Sequence, residues 1–158
     1  MKLYLVQHGA ALPGEVDPAR PLSESGRKDV QTMANFLKGA GIRVERVWHS
    51  GKSRAEQTAH LLAKAVLPRG KIEQVGGIGP HDDVAGFVSD ADVWEQDILV
   101  VGHLPFLSRL VAWLVTSNPE HEVVGYVPGS VVCLERRDLN RWTVLWMIRP
   151  DLAELSSR

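Results

Sequence analysis

Two histidines and one arginine carry the chemistry that can be read from this chain. His8 closes the run Lys2-Leu3-Tyr4-Leu5-Val6-Gln7-His8-Gly9, and His103 closes Asp97-Ile98-Leu99-Val100-Val101-Gly102-His103. Between them, Ser50-Gly51-Lys52-Ser53-Arg54-Ala55-Glu56-Gln57-Thr58 reads as a strand exit leading into a helix. Ligands of open α/β sheets bind at the carboxyl edge of the strands. Two histidines and an arginine gathered there would make one compact cationic pocket. A neutral imidazole can attack phosphorus directly, and a guanidinium can hold two phosphate oxygens at once. The chemistry suggested is phosphoryl transfer with histidine as the nucleophile.

Each residue also has a plainer reading. Gln7-His8-Gly9 alone fits a loop histidine with a satisfied hydrogen bond about as well as it fits a nucleophile. Gly9 permits a tight turn and a close approach of backbone to ligand. Arg54 falls near a helix start, where free N–H groups and the helix dipole favour an anion; a solvated surface arginine is the alternative. A protonated His103 would stabilise charge on the phosphoryl oxygens. Arg20 follows a proline-rich loop and either folds back over the pocket or stays in solvent.

The elements that must position these residues alternate. Residues 2–7 read as an apolar strand, and 10–22 as a loop broken by Pro13, Gly14, Pro18 and Pro21. Ser23 is a helix N-cap signal; Val30, Met33, Ala34 and Leu37 recur at helical spacing until Gly39 and Gly41. Residues 44–49 form a second expected strand. Ser53 is the expected cap of a helix with Ala55, Ala59, Leu62 and Ala63 on its apolar face. A short strand at 72–75, a short helix at 82–90 and a buried strand at 97–102 follow. Pro105 opens a helix running to about Val115. The tail reads as a β-hairpin, with strands 130–136 and 142–149. Strands separated by helices should be parallel, joined by right-handed crossovers.

A chain of 158 residues, 44% hydrophobic and 23% charged, fits one soluble domain spanning 1–158. The net charge of −1 gives no reason to invoke nucleic acid or a membrane surface. The lone cysteine, Cys133, rules out an internal disulfide and sits in an apolar run, as a buried thiol would. Residues 1–6 are too short for a signal peptide, and no window reaches the length of a membrane span, so the expected location is cytoplasmic. No histidine pair shows metal-ligand spacing such as HExxH. His49 is expected beside the pocket; His60, His81 and His121 are expected in solvent. Trp113, Trp142 and Trp146 fall on apolar patterns and read as core.

Taken together, LYLVQHGAA, the Arg20-Pro21-Leu22-Ser23 segment, VERVWHSGKSRAEQTAHLL and ILVVGHLPFLSRLVAWL resemble the histidine phosphatase superfamily. The closer resemblance is to its small SixA-type phosphohistidine phosphatases. It implies a three-layer α/β/α fold of the phosphoglycerate mutase-like kind, with a mainly parallel sheet. It also implies His8 as the phosphate-accepting nucleophile, Arg54 and His103 as catalytic pocket residues, and Gln7, Gly9 and Arg20 beside the phosphate. No metal or other cofactor is implied. The implied substrate is a phosphohistidine in a signalling or phosphotransfer protein, with inorganic phosphate as product.

One position departs from the family pattern: its hallmark Arg-His-Gly becomes Gln7-His8-Gly9. Losing a charge-assisted bond worth roughly 1.5–3 kcal/mol would slow catalysis about tenfold to a hundredfold. A phosphate-binding protein that has lost catalysis is therefore one alternative. A small-molecule phosphomonoesterase is another, and it would need Asp82 or Asp83 as a working acid. Both also read as ordinary helix-start carboxylates.

Overall fold

The computed structural model describes residues 1–91 and 93–156. Among the described residues, six strands form one sheet: β1 (Lys2–Gln7), β2 (Arg46–His49), β3 (Ile72–Gln74), β4 (Ile98–Gly102), β5 (Val131–Asp138) and β6 (Arg141–Ile148). Their order is β3-β2-β4-β1-β5-β6. The β1–β4, β2–β4 and β2–β3 pairs are parallel, while β5 runs antiparallel to β1 and β6. The sheet is thus mixed, with a parallel half bearing His8 and His103 and a terminal hairpin.

Among the described residues, five helices cover it: α1 (Glu24–Gly39), α2 (Ser53–Val66), α3 (Val84–Ala91), α4 (Phe106–Thr116) and α5 (Pro150–Leu155). Strand residues alternate between the two faces. Tyr4, Val6, Val47, Leu99 and Val101 pack with α1 and α2, and Ala153 of α5 joins that core. Leu3, Leu5, Trp48, Ile98 and Val100 pack with α3 and α4. Covering both faces explains why β1 and β4 are unbroken apolar runs.

Several boundaries move for local reasons. The second strand starts at Arg46 because the Val44 N–H goes to the Val66 carbonyl at the end of α2. Ser23 caps α1 as expected, accepting the Gly26 N–H at 3.0 Å. Ser53 does not cap α2. It is the first helical residue, and the Lys52 carbonyl receives the N–H groups of Ala55 and Glu56. The hairpin strands reach closer to the turn than expected and meet at Leu139-Asn140, where Asn140 takes the left-handed φ of 60°. Helix α5 is an addition to the expected elements. Its signal is Pro150 at a first helical position with Asp151 beside it.

Candidate functional site

The pocket is assembled at the carboxyl edge of β1, β2 and β4. The His8 N–H donates to the Gly102 carbonyl at 3.1 Å, which carries the β1–β4 pairing one step past the strand. That pairing brings the His8 and His103 rings to 5.0 Å between centroids, at an interplanar angle of 53°. Ser50, just after β2, lies 2.6 Å from Nε2 of His103 through its hydroxyl. Arg54 stands in the first turn of α2, within electrostatic reach of both rings.

Gly9 behaves differently from the sequence expectation. Its N–H donates to the Thr58 hydroxyl at 3.1 Å, and that hydroxyl donates to the Arg54 carbonyl at 2.8 Å. A Cβ on Gly9 would lie 2.7 Å from Val30 Cγ2. The glycine is therefore needed for close packing against α1, and its N–H ties the loop after β1 to α2 beside Arg54.

One hydrogen bond sets the chemistry of His8. Its Nδ1 lies 2.7 Å from the Gly9 carbonyl oxygen. A carbonyl only accepts, so Nδ1 carries the proton and Nε2 of the neutral ring keeps its lone pair. Burial pushes the His8 pKa below the ordinary imidazole value; the Gly9 bond opposes this, and the Arg54 and Arg20 charges add to it. Burial, followed by His8, Arg54, Lys52 and Arg20, pushes His103 down to about 3. Burial and then Arg20 lower Arg54. No carboxylate is among the groups shifting either pocket histidine. Mutually repelling positive groups held in one cleft mark a place built for an anion.

Unpartnered atoms point the same way. Among the described residues, the buried side-chain atoms without a hydrogen bond are Gln7 Oε1, Arg54 Nε, His103 Nδ1 and Trp142 Nε1. Arg54 Nε and His103 Nδ1 are donors on pocket residues, whereas Gln7 Oε1 is an acceptor that an oxyanion does not satisfy. Orphaned buried polar groups are rare in folded proteins, and such concentration calls for a ligand. Gln7 is 8% exposed and lies in β1 on the parity of Leu3 and Leu5.

Arg20 is a solvent-exposed residue of the loop before α1. Leu12 and Pro21 pair across the loop, and Arg20 takes a positive φ of 48° with its Nε donating to the Leu12 carbonyl. It stays exposed, yet its charge acts on His8, Arg54 and His103. His49 is buried at the end of β2, but its Nδ1 accepts the Gly51 N–H and its ring faces His60 at 6.4 Å between centroids. His60, His81 and His121 are exposed. Trp142 is core, and Trp113 and Trp146 pack at its margins. Cys133 is buried and its thiol is pushed up to about 11, chiefly by burial. Asp82 accepts the Gly79 N–H and Asp83 the Ala85 N–H, so both serve the turn into α3.

Sequence pattern does not single out Ser50, Lys52 or Thr58. Their hydroxyl and amine types are too common to stand out; position directly after a strand end is the available signal for Ser50.

Comparison with known proteins agrees with this geometry. A family model of the histidine phosphatase superfamily (branch 1) matches residues 3–74. The chain is 35% identical to the phosphohistidine phosphatase SixA of Escherichia coli (strain K12) over 156 residues, covering 95% of this chain and 94% of that protein. A structure of the protein histidine phosphatase SixA complexed with tungstate superposes with a TM-score of 0.85 at 27% identity, covering 96% of this chain and 99% of that one. Phosphoglycerate mutase from Bacillus anthracis shares the fold alone, with a TM-score of 0.72 at 16% identity, covering 100% of this chain and 97% of that one. The chain belongs to the histidine phosphatase superfamily, among its SixA-type members.

Proposed function

We propose that this phosphatase hydrolyses phosphohistidine on a signalling or phosphotransfer protein, through a phosphohistidine intermediate at His8. The observation that carries the reading is the Nδ1–Gly9 bond, which leaves His8 Nε2 as a free nucleophile inside a cationic pocket. Nε2 forms a bond to phosphorus as the substrate's N–P bond breaks. The substrate imidazole, protonated from solvent on its other nitrogen, departs neutral. The phosphorylated His8 ring is positive, and the Gly9 carbonyl steadies its Nδ1–H. Water then bonds to phosphorus as the His8 N–P bond breaks, and its hydrogens stay with the released phosphate.

Arg54 and a protonated His103 would hold the oxygens whose charge changes during transfer. An oxyanion gives His103 Nδ1 and Arg54 Nε the partner they lack, and raises the affinity of His103 for a proton. The positive groups facing the phosphoryl come from the chain itself, so the step calls for no metal ion. Tungstate, the ligand of the SixA structure, is an oxyanion of the same kind.

Phosphohistidine is favoured over an alkyl phosphate because, among the described residues, no carboxylic acid acts on either pocket histidine. Asp82 and Asp83 are engaged in the turn before α3. An alkoxide leaving group needs a proton from the enzyme, whereas a neutral imidazole does not. The test is trapping with labelled phosphohistidine protein: an acid-labile phosphohistidine at position 8 is expected. A folded His8→Ala protein that keeps near-wild-type turnover would overturn the assignment.

Gln7 favours a second reading, in which the pocket binds a phosphorylated partner without turnover. Its carboxamide lacks the charge of the family arginine, and its buried Oε1 has no partner. Binding of phosphohistidine protein with no labelled intermediate and no phosphate release would select that reading.

A further inference from the structure

A second hollow lies on the α3 side of the sheet. Its volume is about 340 Å³, and Trp48, Phe87, Trp94, Gly86, Asp83 and Asp90 form much of its wall. Trp94 packs edge to face with both Trp48 and Phe87, at 4.9 and 5.1 Å between ring centroids. Gly86, Phe87 and Asp90 share one side of α3 at helical spacing, and Asp83 stands at its start. The hollow is therefore aromatic at its back and acidic along one wall.

Two features show that it is not simply loose packing. Gly86 lies inside α3, where glycine costs about 1 kcal/mol relative to alanine. A Cβ there would meet nothing within 4 Å, so no neighbour demands a glycine. Asp90 is exposed, and its carboxylate has no hydrogen-bond or ion-pair partner among the described residues. Asp83 is tied to the Ala85 N–H through one oxygen only. The Trp48 ring already carries one cation: the Arg46 guanidinium stands 5.5 Å from its centroid. Aromatic walls beside the unpartnered Asp90 carboxylate select a positive group on an apolar stem.

The hollow is placed to act with the pocket. Trp48 lines it, and Ser50, which bonds His103, follows two residues later, about 7 Å along the chain at the rise of a strand. The loop after β3 abuts the same segment, through the Val75 N–H donated to the His49 carbonyl. A cationic pocket and an acidic hollow joined by this short segment fit a substrate carrying both charges.

We propose that this hollow receives a lysine or arginine side chain of the phosphohistidine protein, next to the phosphoryl group in the pocket. The proposal rests on the phosphatase reading above and adds the rule by which a protein substrate is chosen. The aromatic rings hold the aliphatic stem, and Asp83 and Asp90 meet the charge.

The test uses phosphohistidine peptides in which one lysine is moved along the four positions on either side of the phosphohistidine, each paired with a norleucine control. The wild-type protein should prefer one lysine peptide over its control by about tenfold in kcat/KM. Asp90→Asn and Gly86→Leu should each bring that ratio close to one, while turnover of the controls stays unchanged. Equal turnover of every lysine peptide and its control, or a preference that survives both variants, would overturn the proposal. If no peptide is hydrolysed, the phosphatase reading fails and the hollow is judged by binding. In that case n-butylammonium should shift the indole N–H signals of Trp48 or Trp94 where butanol does not, and Asp90→Asn should abolish the shift. Equal shifts by the two probes, or none by either, would overturn it.

Discussion

The Ser50 hydroxyl lies 2.6 Å from Nε2 of His103, while Nδ1 of the same ring is buried without a partner. When the ring is neutral only one nitrogen carries a proton. A hydroxyl that donates to Nε2 places the proton on Nδ1. Once the ring is protonated, Nε2 donates to Ser50 and Nδ1 remains free for the phosphoryl group. With the hydroxyl as donor to the neutral ring, Ser50 keeps Nδ1 a donor in both states, which makes it a positioning residue.

Ser50→Ala should therefore lower kcat about three- to tenfold, the worth of one neutral hydrogen bond, with KM less affected. The pH profile should change with it, because His103 loses the group that orients its proton. Ser50→Thr should restore most of the rate. An unchanged pH profile in a slowed Ser50→Ala enzyme would reduce Ser50 to a packing role.

Gln7→Arg should raise the rate about tenfold, near 1.4 kcal/mol, by restoring a charged fork beside the phosphoryl oxygens. A gain in kcat would place the new contact in the transition state, and a gain confined to KM would place it in binding. Steady-state kinetics on a phosphohistidine protein decides between them. A fall in activity would mean that the added charge collides with Arg20 and Arg54.

The pH dependence of stability follows from the two lowered histidines. Their folded pKa values lie below the unfolded value of about 6.5, so the unfolded chain binds more protons in the window between. Stability is thus fully present above about pH 6.5 and is lost as pH falls toward the folded values. For His103, with a folded value of about 3, the loss at about pH 5 is roughly 2 kcal/mol. Urea unfolding at two pH values measures it. Tungstate should recover much of the loss, because a bound oxyanion favours protonated His103. Stability that does not change between about pH 7 and 5 would contradict the burial of these rings.

EDTA should leave turnover unchanged, because Arg54, His103, Lys52 and Arg20 supply the charge that a cation would otherwise bring. Activity lost to the chelator and restored by a divalent ion would count against the mechanism written above.

Much of this architecture is written in local pattern. The apolar runs ending in His8 and His103, the Ser23 cap and the proline before α4 each act over a few residues, so the sequence alone displays them. The parallel pairing of β1, β2 and β4 follows from the helices between them. Membership of the family is also legible, because QHGAA, SRAEQTA and GHLP carry it in order. Other features need the folded chain. Gly9 reads as a ligand-approach glycine, yet only the packing of Val30 against it and the Thr58 hydroxyl beside it give it a structural task. Ser50 acquires its role from a ring 53 positions away in sequence. The aromatic hollow joins Trp48 to α3, two segments that share no local pattern. Periodicity, caps and turns report interactions between neighbours in sequence, whereas a hydrogen-bond partner, a buried orphan atom or a hollow is set by which distant segments the sheet brings together.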